Sequence, residues 1–318
     1  MLTKKIQEIS GTEMLLEVDD HRHDVKAWAH EEKGFVNEHL SSHGALLVRG
    51  FEEITSTDFA ATLKILFGEE LLNYNYRSTP RTGLANNVYT ATEYHNSEVI
   101  PQHNEKSYAN SWPLRIGFLS SKKAREGGNT PISDSREAYM RIPREVVEEF
   151  ERKGVMYVRN YGNIDLPWSE VFQTEDKVEV ERFCKANDID FVWTENGLRT
   201  KQVNQATATH PHSGEKVWFN QAHLFHVSNL KPDVMEGLLE YLGEENLPRN
   251  TFFGDGTPLD VEVLNLIRQV YDETKITFDW QEGDLLLLDN MLYTHGREPY
   301  EGEREVLVGM AQKYGLQA

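Results

Sequence analysis

Four leucines stand in a row at Leu285–Leu288, between Asp284 and the pair Asp289-Asn290. A run that short and that apolar, stopped by turn-forming residues, reads as a β-strand. It lies in a strand-dense C-terminal part of the chain, with KITFDW (Lys275–Trp280) before it and REVLVGMAQKY (Arg304–Tyr314) after it. Toward the other end GALLVRGF (Gly44–Phe51) reads as a buried strand bounded by glycines. PLRIGFLSS (Pro113–Ser121) and GVMYVRNY (Gly154–Tyr161) read as further strands. Helical spacing marks Ser56–Gly68, opened by Ser56 as its cap, and Ile142–Gly154, with proline in the first turn, acids early and Arg and Lys late. Two more helices are expected near Pro232–Leu242 and Asp260–Tyr271. Strands near both ends with helices between predict a mainly β fold with helices (α+β), a jelly-roll barrel. The lack of evenly spaced βαβ units argues against a doubly wound sheet. The charged, Trp-containing stretch at about 163–216 holds one plausible helix, Glu175–Asn187. It is expected to be an inserted, lid-like segment of a single domain spanning 1–318.

Charge limits the partners. The chain carries 52 acidic against 33 basic residues, a net charge of −19. Nothing supplies a basic stripe for phosphates, so nucleic acid and an anionic membrane surface are not expected partners. The N-terminus shows no apolar core of signal-peptide length, and no window reaches the roughly 18 apolar residues of a membrane span. The one cysteine, Cys184, excludes an internal disulfide and fits a reducing cytoplasm. Its surroundings, VERFCKAND, predict a buried, inert thiol.

Chemistry enters at IPQHNEKSYANSWP (Ile100–Pro113). His103 and Glu105 are two apart, which on a strand places both side chains on one side of the sheet. Alone, the pair is equally a hydrogen-bonded surface couple. A third candidate follows far along the chain: His295, in YTHGRE, just past the apolar strand and beside a glycine. Two imidazoles and one carboxylate on one face of a metal leave the other positions open, the facial arrangement of non-haem Fe(II) oxygenases. Such a metal must take a bidentate anionic cosubstrate and O₂, so a fixed cation should hold the cosubstrate's far end. Arg304, nine positions after His295, offers a planar fork for a carboxylate. Thr130, in EGGNTPISDSR, offers a hydroxyl.

These segments are similar to the taurine-dioxygenase-like (TauD/TfdA) superfamily of Fe(II)/2-oxoglutarate-dependent oxygenases. The resemblance is strongest to the branch that contains the syringomycin-pathway aspartyl β-hydroxylase. It is carried by PRTGLANNVYTATEY (Pro80–Tyr94), IPQHNEKSYANSWPLRIGF (Ile100–Phe118), GGNTPISDSR (Gly127–Arg136), VWFNQAHLFH (Val217–His226) and DNMLYTHGREPYEGER (Asp289–Arg304). It implies a double-stranded β-helix, His103, Glu105 and His295 as iron ligands, and Thr130 and Arg304 on the distal carboxylate of 2-oxoglutarate. Where family members often carry a second basic residue after that arginine, Glu305 stands here. A register shift of one would make Arg297 the anchor instead. The resemblance also implies a small-molecule substrate, an amino acid or a derivative, free or tethered to a carrier protein. Glu105 fills the position that related halogenases leave small for chloride, which favours oxygen insertion or desaturation.

The remaining polar residues divide. Asn220 and Gln221, among aromatics, are candidates to bind a polar substrate. His210, His212, His223 and His226 read as loop and strand histidines rather than a second metal site. Asp289-Asn290 reads as a structural turn. The rival from another class is a non-catalytic jelly-roll protein that keeps the pocket.

Overall fold

The computed structural model describes residues 6–18, 24–162, 164–195 and 197–315. Its main sheet has seven strands in the order Ile6–Ile9, Thr12–Glu17, Ala45–Arg49, Leu285–Asp289, Ser111–Lys122, Glu305–Gly315 and Tyr89–Thr90. A smaller sheet has Tyr293–Arg297 between Ile100–His103 and Ile132–Asp134. The leucine run explains how these layers stack. Leu286 and Leu288 face the smaller sheet, joining Ile116, Phe118, Val308, Ile132 and Tyr293 in one core. Leu285 and Leu287 face outward and are covered by the helices Val25–Ser42 and Ser56–Phe67 through Trp28, Leu40, Phe59 and Leu63. A strand buried on both faces has no use for alternation, so it is apolar throughout.

The outer helix layer sits very close to the sheet. Gly117 and Gly309 are register partners on neighbouring strands. A Cβ on Gly117 would fall 2.4 Å from one Leu63 methyl, and a Cβ on Gly309 would fall 2.5 Å from the other. Leu63 is fully buried and has no space to retreat. Gly117→Ala should therefore cost about 1–3 kcal/mol by overpacking. Urea denaturation should show a lower midpoint at an unchanged slope.

Several local expectations are corrected. The cap of Ser56–Phe67 is Thr55, whose Oγ1 accepts from Asp58 N at 3.1 Å while its hydroxyl bonds the Asp58 carboxylate. In TSTD either hydroxyl could serve, and the choice follows from which one places Asp58 at the third helical position. Lys275–Trp280 is not a strand. Only Ile276 forms a bridge, to Ile132, while Ile276, Phe278 and Trp280 alternate into the core. The alternation is satisfied by packing without a ladder partner.

The segment at about 163–216 is far more regular than irregular chain with one helix. Asn163 and Asn196 lie outside the described residues. The rest holds helices Trp168–Phe172 and Lys177–Ala186 and strands Asp190–Thr194, Gly197–Asn204, Thr207–Thr209 and Lys216–Trp218. The first two strands join Val155–Tyr161 and Arg249–Phe253 in a four-stranded sheet. They escape a hydropathy reading because the buried side of Gly197–Asn204 is Leu198, Thr200, Gln202 and Asn204, while Val203 is exposed.

In the helix Lys177–Ala186, Cys184 is fully buried and burial pushes its thiol up to about 12. The reactive thiolate is then scarce below that pH. Disulfide-exchange reagents at pH 8 should leave the native thiol unlabelled and titrate it only in denaturant. Among the described residues no helix is long and apolar enough to cross a membrane.

Candidate metal centre and cosubstrate cavity

His295 lies within a strand, Tyr293–Arg297, and not in a loop beyond one. Its register partner on the neighbouring strand is His103. Residues directly opposite on antiparallel strands hold their side chains close, and the two imidazole centroids are 4.5 Å apart. Glu105 arrives by a different route from the same-side pairing on one strand that the spacing suggested. The strand Ile100–His103 ends at the histidine, and Glu105 begins a turn.

That turn is fixed from three sides. Asn290 Oδ1 accepts from Glu105 N at 2.7 Å, and Asn290 Nδ2 donates to Glu105 O and to Pro113 O, each at 2.9 Å. Gln221 Nε2 donates to Asn104 O at 2.8 Å. Asn104 Nδ2 donates to Ser135 Oγ and to Asn290 O. The result is that one ligand-type atom from each of His103, Glu105 and His295 lies within 4.8 Å of the other two. All three residues are buried.

The charge state of the three suits a cation. Burial lowers the His103 pKa, against the pull of Glu105. Burial, with His103 and Arg81 nearby, takes His295 well below its ordinary value. Both rings are therefore neutral, as metal ligands must be. Burial would raise the Glu105 carboxyl, but Arg81 and then His103 outweigh it and hold the carboxyl below its ordinary range. His103 Nδ1 is 2.8 Å from Pro101 O, which as a donor contact frees Nε2 for a ligand. His295 Nδ1 is buried without a partner. Phe118 from the main sheet packs on the His295 ring at 5.0 Å.

Arg81 is the residue that the sequence reading passed over. Its Nη2 meets Glu105 Oε2 at 2.7 Å, and both side chains are 3% exposed. The guanidinium also lies 4.5 Å over the Tyr74 ring. Arg81 belongs to PRTGLANNVYTATEY, a segment with no metal-ligand residue type at the arginine. Only its contact with Glu105 marks it.

Thr130, Arg304 and Arg297 line the same cavity as His103, His295, Arg81 and Phe118. The two arginines differ in what they hold. Arg297 Nη1 donates to Thr92 O and Tyr94 O, and its Nη2 to His95 O and Glu98 O. Its fork is used on four backbone carbonyls of one loop. Arg304 Nε donates to Gly128 O at 2.8 Å, and Nη2 reaches Thr130 Oγ1 at 3.3 Å. No carboxylate pairs with Arg304 among the described residues. Burial, then Arg297 nearby, pushes its pKa down to about 10. Thr130 Oγ1 accepts from Arg304 and also from Trp280 Nε1 at 3.1 Å. With both lone pairs engaged, its hydroxyl hydrogen is the part left to donate. Gly128 makes the approach possible: its φ is +74°, and a Cβ there would stand 2.9 Å from Arg304 Cδ.

Asn220 and Gln221 are not brought to this cavity. Asn220 Nδ2 donates to Ala206 O, and its Oδ1 accepts from Ala222 N. Gln221 acts on the metal turn through Asn104, as above. Asp289 is structural: its Oδ2 accepts from Arg115 Nη1 at 2.5 Å and pairs with His210 Nε2 at 3.0 Å. His223 Nε2 contacts Gln102 O, and His226 Nδ1 contacts Ser228 Oγ. Among the described residues, only His103, Glu105 and His295 form a cluster able to hold a metal.

The family described as "Taurine catabolism dioxygenase TauD, TfdA family" matches residues 5–311. Dapdiamide synthesis protein DdaC of Enterobacter agglomerans is 43% identical over 277 residues, 86% of this chain and 84% of that protein. A clavaminate synthase-like protein of Arabidopsis thaliana is 29% identical over 294 residues, 88% of this chain and 85% of that protein. Among solved structures, PvcB of Pseudomonas aeruginosa shares the fold with a TM-score of 0.54 at 15% identity, over 93% of this chain and 84% of that one.

Proposed function

The chain belongs to the TauD/TfdA dioxygenase family, and from that premise we propose that it uses Fe(II) and 2-oxoglutarate to hydroxylate an unactivated C–H bond of a small molecule. The substrate is an amino acid or an amino-acid derivative of specialised metabolism. The similarity to a protein named for dapdiamide synthesis supports that class. One observation carries the reading: two neutral imidazoles and one carboxylate converge within 4.8 Å, and the cavity lined by the two imidazoles also holds an arginine without a carboxylate partner among the described residues. The donor set fits a divalent ion of intermediate softness with open coordination positions.

In this reading His103, Glu105 and His295 hold the ion, and Thr130 and Arg304 hold the distal carboxylate of 2-oxoglutarate. A ferrous ion bound there supplies the dioxygen activation that no side chain can provide. The chain's own residues do the rest. Pro101 O orients the His103 ring, and Asn290 fixes the backbone of Glu105. Arg81 holds one carboxylate oxygen, leaving Oε1 as the freer of the two. Gly128 O aims the Arg304 fork, and Thr130 contributes its hydroxyl hydrogen to the same anion. The apolar faces of Phe118, Ile100 and Val306 exclude water from the space between.

The test is anaerobic addition of Fe(II) and 2-oxoglutarate to the protein, followed by aeration with a panel of amino acids. A weak visible charge-transfer band and substrate-triggered succinate release are expected. His103→Ala and His295→Ala should lose the band. Wild-type protein that shows neither band nor succinate would return the chain to the binding-protein reading.

A further inference from the structure

A second cavity, of 280 Å³, lies on the far side of the metal turn. Lys106, the residue after Glu105, lines it together with Lys313. No Asp or Glu lines it, although acids outnumber bases 52 to 33 in the chain. Neither ammonium makes a hydrogen bond or ion pair with any described residue. An ammonium can only donate, so what is missing here is an acceptor.

The backbone at Lys106 strengthens the point. Its φ is +59°, in the left-handed region. That conformation costs about 1–3 kcal/mol for a residue other than glycine and persists where its surroundings impose it. It belongs to the turn that brings Glu105 to the metal side and lets Lys106 line the opposite cavity. Amide side chains of Asn73, Asn110 and Gln202 and the rings of Tyr76 and Phe183 complete the wall. Lys313 is exposed and Lys106 half-buried, so the charge runs inward from the surface.

We propose that this cavity is an anion site, separate from the cosubstrate cavity, that takes a small organic acid (a carboxylate or phosphate ester) between Lys106 and Lys313. The acid is either the charged end of the substrate or a free effector. The binding test needs neither iron nor turnover, so it stands or falls apart from the metal assignment.

The test is calorimetric titration of the metal-free full chain with malonate and with 2-phosphoglycolate, and with malonamide as the neutral control. Lys106→Gln/Lys313→Gln should weaken binding of both acids at least tenfold. Arg304→Ala should leave it unchanged. Lys313→Gln alone, at an exposed position, should weaken it at least twofold. Malonamide should bind at least tenfold less tightly than malonate. If the site serves the substrate's acidic end, the double variant raises KM for any acid that triggers succinate release, at similar kcat. If it serves an effector, malonate changes the wild-type rate without competing with the triggering compound. Acid binding that is lost in Arg304→Ala and kept in the double lysine variant would overturn the proposal. So would malonamide binding as tightly as malonate, or no binding of either acid.

Discussion

Replacing Arg304 by alanine is expected to raise the KM for 2-oxoglutarate by about 10²–10³-fold, the scale of losing one partner of a buried, hydrogen-bonded charge pair. The guanidinium is desolvated, has no carboxylate of its own among the described residues, and is aimed by Gly128 O and Thr130. In the proposed reading the dianionic cosubstrate would relieve that unmet charge. Arg297→Ala should behave differently although it lines the same cavity, because its fork is spent on four carbonyls between Thr92 and Glu98. It should lower stability by about 1–3 kcal/mol, the cost of leaving buried acceptors unpaired, and move KM much less. Succinate formation measured against 2-oxoglutarate concentration, beside a denaturation curve for each variant, separates the two. A larger KM effect in Arg297→Ala would transfer the anchor role to that residue.

Arg81→Met should destabilise the metal-free protein by about 3–5 kcal/mol, because it strands the Glu105 carboxylate in a buried site. The pair is 3% exposed on each side, so water cannot take over. A divalent cation can. With Arg81 gone the carboxylate is free for the ion, so Mn(II) should bind the variant more tightly than the parent, and each tenfold difference in Kd closes about 1.4 kcal/mol of the gap at saturating ion. Adding Mn(II) should therefore close much of the gap between Arg81→Met and the parent chain. Chemical denaturation with and without the ion measures this directly. A deficit of the same size in both conditions would mean that the cation and Arg81 do not act on the same carboxylate.

These residues show where the sequence was informative. His103, Glu105 and His295 could be picked out because metal chemistry restricts residue type, and order along the chain narrows the choice. Arg304 and Thr130 were candidates from the need for a cation and a hydroxyl on an anionic cosubstrate, and the folded chain places both on the cavity lined by His103 and His295. The leucine run and the glycine-bounded strand showed a β core because complete burial leaves no polar position in them. Arg81 had no such signature. An arginine near a turn has many possible partners, and only the folded chain brings this one to Glu105 across 24 positions.

The same limit explains the strands that were missed. Gly197–Asn204 buries Thr, Gln and Asn, so its inner face carries no apolar pattern, and its pairing with Val155–Tyr161 is a tertiary fact. Asn290 was read as a turn residue, and its clamp on Glu105 spans 185 positions. The sequence by itself determined which groups could do the chemistry, because that depends on residue type. The tertiary structure decided which groups orient them and which polar faces are buried, because those depend on distances that no local pattern encodes.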